Sequence, residues 1–319
     1  MIDVSPKFST LRYARAEGFL YGQPEVLAKV FDKSVPKGDV MEVARAAGIT
    51  AAKRTSDLIV FCHPIPLDWV EVRLEPHDKG IRVEAEVRSV WKTGVEVEAI
   101  TAVTGALLNA YDMLKPLDQN LSFGEVRVVK KKGGKTDFAD RFAVPVKTAV
   151  LVMSDSTHAG KREDKSGKVI AEFLTNQPVA VECYEILPDD REVIGSRLRK
   201  LADEEGFQLV LTTGGTGLGP RDITPEATLA VLDRTVPGIV EAIRKHGKDR
   251  TPYAMLSRGE AGLRGGCLIV NLPGSSRGAL ESMQALFPGL LHIFPMMAGK
   301  GHDEQGEKKK KGKNGHDHH

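Results

Sequence analysis

From Asp39 to about Val60 the apolar residues of DVMEVARAAGITAAKRTSDLIV recur at helical spacing. The spacing predicts one long helix. Asp39 followed three residues later by Glu42 predicts a capping box at its start. Apolar and polar positions then alternate near 69–75 and 81–90, which predicts two strands. A second helix is expected to end near Lys115, and the residues before Asp39 form a polar start. Strands set between long helices predict α+β layers for residues 1–140.

The pattern changes at FAVPVKTAVLVMSDS, where a proline precedes a short continuous apolar run. Strand-like runs at 147–153, VAVECYEIL, FQLVLTT and CLIVNLPGS then alternate with helical stretches near 166–175, 191–204 and from Thr224. Such alternation predicts a mostly parallel sheet with helices on both faces, a three-layer α/β domain. Ligands of these folds sit beyond the carboxyl ends of the strands. SDS at 154–156, TTGGTG at 212–217 and NLPGS at 271–275 all fall there. The expected division is 1–143, 144–303 and a low-complexity, disordered Lys/His-rich tail over 304–319.

The chain has 319 residues, 41% hydrophobic and 28% charged, enough for two ordinary globular cores. Its formal charge is +2. Residues 305–319 carry five lysines against Glu307 and Asp317, a formal +3, so the rest stands near −1. A basic footprint for nucleic acid is therefore not expected in the body. Cys62, Cys183 and Cys267 are far apart and lack metal-ligand spacing, which suits reduced thiols. With no apolar run long enough for a membrane span and no leader-like start, the expected location is the cytoplasm.

Charge marks the candidate chemistry of the first half. Lys37, Lys53, Arg54 and His63 cluster around the first helix, with His63 in the rigid Cys-His-Pro exit. They form either a solvated cationic face or a polyphosphate site. Glu96 and Glu98 alternate as on a strand edge. Asp112 and Lys115, three apart, are neighbours on one helical face, as a surface ion pair or a catalytic couple. Lys131 and Lys135 flank two glycines in what reads as a flexible basic loop.

In order, DVSPK, ARAEGF, KGDV, AGITAAKRTSDLI, CHP, GVEVEA, YDMLK and GGK resemble the cyclic pyranopterin monophosphate synthases (MoaC family) over nearly all of residues 1–140. The resemblance implies a ferredoxin-like α+β fold. It also implies a lyase of molybdenum cofactor biosynthesis that converts a cyclic dihydro-GTP intermediate into cyclic pyranopterin monophosphate and expels pyrophosphate. Asp112, Lys115 and Lys131 then take catalytic roles. His63 and the Glu98 region bind substrate, together with Phe61, Cys62, Glu96, Val97 and Lys135, while Arg12, Lys37 and Lys53 hold the triphosphate. Phe61 and Val97 depart from the residues most common at their positions in that family, and both changes concern packing.

In the second half the glycine-rich turn TTGGTGLGPRDITPEA follows a strand and opens a helix, a ready anion site made of backbone N–H groups. It matches neither a Walker loop nor a dinucleotide fingerprint. Asp222 would be repelled by a phosphate unless a cation stands between them, and Mg²⁺ is the natural one. The set SDSTHAG, LPDD, TTGGTGLGPRDITPEA, LSRG and NLPGS resembles the MogA/MoaB family of molybdopterin-binding proteins. That resemblance implies molybdopterin as ligand and, with both acids retained, adenylyl transfer from ATP with Mg²⁺. Asp189 and Asp222 match its functional acids. Ser154, Asp155, Gly214, Gly215, Thr216, Gly217, Ser257, Asn271, Pro273, Gly274 and Ser275 match its ligand cradle. His158 reads as an exposed loop histidine. Hexamers are implied for the first domain and trimers for the second, so a homo-trimer or homo-hexamer is expected.

Overall fold

The computed structural model describes residues 1–78 and 80–299. The tail expected at 304–319 lies outside the described residues. The chain divides into two compact units, Met1–Asp137 and the part that begins at Phe138.

The first unit runs β1 (Thr10–Tyr21), α1 (Pro24–Phe31), α2 (Val40–Lys53), α3 (Thr55–Leu58), β2 (Trp69–His77), β3 (Gly80–Trp91), α4 (Glu96–Leu114) and β4 (Ser122–Lys132). The strands form one antiparallel sheet in the order β2-β3-β1-β4. α4 packs across β1, β3 and β4, and α2 packs on α4 and β2. The polar start expected before Asp39 is mostly β1. Its Ala14, Ala16 and Leu20 are buried at alternate positions. A Cβ on Gly18 would lie 2.9 Å from Leu107 and from Val103, so small residues here let α4 approach the sheet. Short side chains weaken the apolar signal of a strand while improving its packing. On the other face Glu17 accepts from Arg82 and Arg127, a cross-strand ion cluster.

Four further expectations change. The helix from Asp39 to Val60 breaks at Arg54 into α2 and α3, and the Thr55 hydroxyl bonds back to Ala52 O at 3.0 Å. A Thr-Ser-Asp run satisfies backbone groups locally, which favours ends over interiors. Asp39 does cap α2, accepting from Met41 and Glu42 N–H, but the Glu42 carboxylate pairs with Arg45 at 3.0 Å. Glu96 and Glu98 lie in the first turn of α4, where the helix dipole favours negative charge, and not on a strand edge. Lys130, Lys131 and Lys132 belong to β4, so the basic loop begins only at Gly133, whose φ is +90°.

The second unit runs β5 (Val146–Met153), α5 (Asp155–His158), α6 (Ser166–Leu174), β6 (Val179–Leu187), α7 (Arg191–Asp203), β7 (Leu209–Thr213), α8 (Thr224–Leu229), β8 (Arg234–Thr235), α9 (Pro237–Lys248), β9 (Ala261–Arg264), β10 (Cys267–Leu272), α10 (Ser276–Leu286) and α11 (Ile293–Met297). Its sheet order is β6-β5-β7-β10-β9-β8. Alternate residues of β5 enter two cores. Val146 and Val150 pack with α6, α9 and α10, while Ala149, Leu151 and Met153 pack with α7 and α8. Both faces are covered, as expected, but the sheet is mixed. β6, β5, β7 and β10 are parallel, whereas β9 and β8 join antiparallel. The cause is local: Gly265 and Gly266 make a two-residue link between β9 and β10, with φ +52° at Gly265, and so short a link permits only antiparallel pairing.

Helix contact in the first unit gives a test of its packing. A Cβ at Gly48 in α2 would stand 2.8 Å from the Ala102 carbonyl oxygen of α4. Gly→Ala inside a helix ordinarily stabilises by up to ~1 kcal/mol. Here overpacking against backbone reverses the sign, and Gly48→Ala should destabilise by about 1–3 kcal/mol. Both tryptophans, Trp69 and Trp91, lie in this unit. The urea midpoint of their fluorescence transition should fall, and an unchanged or higher midpoint would refute the close approach.

Candidate active sites

The candidates of the first unit separate toward the two ends of α4. At its carboxyl end the Asp112 carboxylate lies between two ammonium groups. Lys37 donates to Oδ2 at 2.9 Å and to the Asp112 carbonyl at 2.8 Å, and Lys115, the C-cap of α4, meets Oδ1 at 2.8 Å. Lys115 and then Lys37 hold the Asp112 pKa down to about 2, and Asp112 in turn raises that of Lys115. All three side chains are about half exposed, so the trio adds little to stability. What it offers is a fixed carboxylate with proton-bearing groups on either side, able to bind an anion or exchange protons with a substrate.

At the amino end of α4, Glu98 is buried, and the Cys62 thiol donates to its Oε1 at 3.4 Å. Oε2 is buried without a partner. Burial raises the pKa of Glu98, and burial together with Glu98 raises that of Cys62 to about 11. Cys62 is thus a neutral thiol that positions the acid. Lys131 on β4 reaches Glu96 at 3.3 Å. Arg12, only 9% exposed, donates to the Trp91 and Lys92 carbonyls from the neighbouring strand. Phe61 is exposed, Val97 is part of the first turn of α4, and His63 is half-buried next to Cys62. Lys53 ends α2 on the surface, and Lys135 opens a 3₁₀ turn beyond β4. Lys37 therefore sits with Asp112, apart from Arg12, its expected companion.

In the second unit the carboxyl ends of β5, β6, β7 and β10 supply the cradle. Gly214 and Gly215 have φ of +99° and +61°. A Cβ on Gly214 would strike Met153 O at 2.2 Å, and one on Gly274 would lie 3.0 Å from Gly214 Cα, so the loops after β7 and β10 meet backbone to backbone. Asp155 and Asp189 exchange bonds: Asp155 N–H donates to Asp189 Oδ2 at 3.1 Å, and Asp189 N–H donates to Asp155 Oδ1 at 2.9 Å. Arg221 donates to Asp155 Oδ2 at 2.8 Å. Burial raises the pKa of Asp189, helped by Asp155 and Asp222. Asp222 Oδ2 accepts from Gly219 N–H at 2.7 Å, closing its own loop. Asn271 is 1% exposed, and its amide joins Thr212, Thr228 and Glu260 N–H, so it holds the strand ends together from inside. Thr213 donates to the Pro273 carbonyl, and Ser154 and Ser275 cap α5 and α10. A recess of about 190 Å³ adjoins the cradle, with Arg244, Tyr253, Ser257, Pro273, Ser275 and Glu281 in its walls. His158 is exposed, and its Nδ1 lies 3.0 Å from Ile186 O.

Arg258 is not singled out as a site residue by the sequence. Arg258 donates to Gly217 O at 2.7 Å, to Asp222 O and to Glu226, and its N–H donates to Thr216 O. It ties the glycine-rich loop to α8, a long-range closure that its position in Leu-Ser-Arg-Gly does not reveal. Among the described residues no group of three or more His, Cys, Asp and Glu side chains is arranged to hold a metal ion. A Mg²⁺ that takes one or two protein oxygens and the rest from phosphates and water needs no such group, so the acids of this cradle fit it. Among the described residues no helix is long and apolar enough to cross a membrane.

Residues 1–134 match the MoaC family, and residues 149–292 match the probable molybdopterin binding domain. A molybdenum cofactor biosynthesis bifunctional protein of Chlorobaculum tepidum is 40% identical over 302 residues, 95% of this chain and 96% of that protein. A cyclic pyranopterin monophosphate synthase of Corynebacterium efficiens is 47% identical over 136 residues, 43% of this chain and 88% of that protein. A solved structure of the molybdopterin biosynthesis enzyme MoaB from Thermus thermophilus is 48% identical. It covers 49% of this chain and 98% of its own, with a TM-score of 0.47.

The lysine pair around Asp112 has a measurable signature. Its folded pKa lies below the unfolded value, so the attraction is fully present above pH ~4 and is lost as pH falls through about 2. Carbon-13 NMR of the Asp112 carboxyl should show a midpoint near 2. Lys115→Met should move it up toward the ordinary aspartate range. A wild-type midpoint already in that range would show that the two lysines do not hold the carboxylate.

Proposed function

The chain belongs to the family of bifunctional molybdenum cofactor biosynthesis proteins, and we propose from that premise that each unit carries one separate reaction. The first unit is a cyclic pyranopterin monophosphate synthase, which rearranges a cyclic dihydro-GTP intermediate and releases pyrophosphate. The observation that carries this reading is the Asp112 carboxylate held between Lys37 and Lys115. A ring rearrangement needs a carboxylate and ammonium groups that exchange protons, and a departing pyrophosphate needs clustered cations. Lys131 and Arg12 supply positive charge at the other end of α4, beside Glu96 and Glu98. The β-α-β-β-α-β order with edge sequence β4-β1-β3-β2 supports the ferredoxin-like fold for this unit.

Glu98 and Asp112 are fourteen residues apart in one helix, about 21 Å at 1.5 Å per residue. A single small substrate does not span them within one copy. The lyase site is therefore shared between neighbouring subunits, in a homo-trimer or homo-hexamer.

The second unit binds molybdopterin and joins its phosphate to AMP from ATP, with Mg²⁺ and release of pyrophosphate. The glycine-rich turn takes the phosphate end through its backbone N–H groups, and the recess beside Pro273 and Ser275 accepts the rest of the ligand. Bound Mg²⁺ would neutralise phosphate charge during transfer. Asp189 lies within the cradle, Asp222 shapes the loop after β7, and Arg258 fixes both sides of that loop.

Asp112→Asn should abolish pyrophosphate release from the cyclic intermediate and leave AMP transfer to molybdopterin intact, because an amide keeps the volume but cannot exchange the proton. Both activities are measured on one preparation of the full chain. Loss of both, with the fold kept by circular dichroism, contradicts separate sites. Wild-type protein that binds molybdopterin but forms no adenylylated pterin with Mg-ATP would make the second unit a non-catalytic binding module.

A further inference from the structure

The recess beside the cradle has a volume of about 190 Å³, and Ile243, Ala254 and Pro273 give it apolar walls. The ring of Tyr253 adds a surface on which a flat heterocycle can stack. A closed cavity of about 150 Å³ holds one benzene ring. The recess is open at its mouth, so it has room for one fused two-ring heterocycle and none for a whole nucleotide. Two of its lining residues are charged, Arg244 and Glu281. Arg244 is spent on structure: its Nε and Nη2 donate to the Ser257 and Gly259 carbonyls at 3.0 and 2.9 Å. Glu281, on α10, accepts from Arg277 Nε through Oε1 at 2.9 Å, and among the described residues no hydrogen bond reaches Oε2. The Glu281 side chain is 16% exposed and that of Arg277 77%, so the carboxylate belongs to the wall while its cation stands in solvent. A carboxylate has about four acceptor sites, so one arginine leaves most of them unused.

We propose that Glu281 is the residue by which the second unit recognises the ring of its pterin, accepting the N3–H and 2-amino donors of the 2-amino-4-oxopyrimidine edge. Those two donors lie side by side, as the two oxygens of a carboxylate do, and a paired contact of this kind fixes orientation as well as identity. An apolar pocket with a few placed polar groups is the usual form of such a site. Adenine presents an amino donor beside an acceptor nitrogen, and a carboxylate repels the second. The recess therefore selects the pterin over the base of ATP. Pro273 and Ser275 line the recess, and Gly274 between them lies against Gly214, so a pterin seated there can reach the glycine-rich turn with its phosphate. This rests on the molybdopterin-binding reading of the second unit and adds to it the residue that reads the ring.

The test compares pterin with lumazine, which carries a 2-oxo acceptor in place of the 2-amino donor. Each is titrated against the full chain by its own fluorescence, at a pH where neither ring has lost a proton. The wild type should bind pterin about tenfold or more tightly than lumazine. Glu281→Gln keeps the size of the side chain and puts an amide N–H opposite the 2-position. Pterin affinity should then fall by about tenfold or more, while lumazine affinity holds or rises, because its N3–H and 2-oxo match the amide. A merely structural residue would move both alike. Wild-type pterin affinity in Glu281→Gln, or an equal loss of both pteridines, overturns the assignment, and so does displacement of pterin from the wild type by adenosine. Molybdopterin binding to the wild type is measured in parallel. If the exchange of preference occurs and molybdopterin does not bind, the reading of the second unit fails and the pteridine pocket stands; if molybdopterin binds without that exchange, only the role of Glu281 fails.

Discussion

The length of α4 is the constraint on which the first unit depends. Nineteen helical residues cross the sheet without a break, because Ala14, Ala16 and Gly18 of β1 leave room for Val103 and Leu107 to pack down. A rigid helix fixes its two ends at a set distance. It carries the buried acid Glu98 at one and the exposed, doubly paired Asp112 at the other. The two carboxyls differ in environment as well as position: burial raises the pKa of Glu98, and two ammonium groups lower that of Asp112. Environments that push two acids apart are how one fold separates a proton donor from a charged partner. Geometry then places each near different cations, Lys131 by Glu96 and Lys37 with Lys115 by Asp112.

In the second unit the equivalent constraint is close approach of backbone at the ends of parallel strands. Gly214 against Met153 O, and Gly274 against Gly214, bring the loops of β5, β7 and β10 together without side chains between them. Long-range side chains then lock the arrangement: Asn271 from the interior, Arg258 from the outer side of the loop. The Asp155–Asp189 exchange orients one carboxylate so that a single oxygen is spent on structure and the other is buried without a partner.

Much of this was legible in the sequence, and the misses share a cause. The helical period of α2, the cap at Asp39, the i,i+3 pair at Asp112 and Lys115, and the glycine turn after β7 are local features that local spacing reports. β1 escaped because a close-packed strand uses alanine and glycine, which carry little apolar signal. The glutamates of α4 were placed on a strand because Val95, Val97 and Ala99 alternate with acids for one turn before the helical period takes over. The antiparallel edge was written in Arg264-Gly265-Gly266-Cys267, a hairpin signal overshadowed by the alternation around it. Arg258 acts through residues 32 or more positions away, and spacing along the chain cannot report contacts of that kind.

The central claim is that α4 carries the two halves of different lyase sites, each completed by a neighbouring copy. Mixing answers it most directly. Glu98→Gln and Asp112→Asn chains, each inactive alone, are co-refolded in equal amounts and assayed for pyrophosphate release from the cyclic intermediate. With each site built from two neighbouring chains, about a quarter of the sites should regain both native residues, and activity should return to about that fraction of wild type. Mixtures as inactive as either parent, in oligomers shown to contain both chains, would contradict it and return the whole reaction to a single copy.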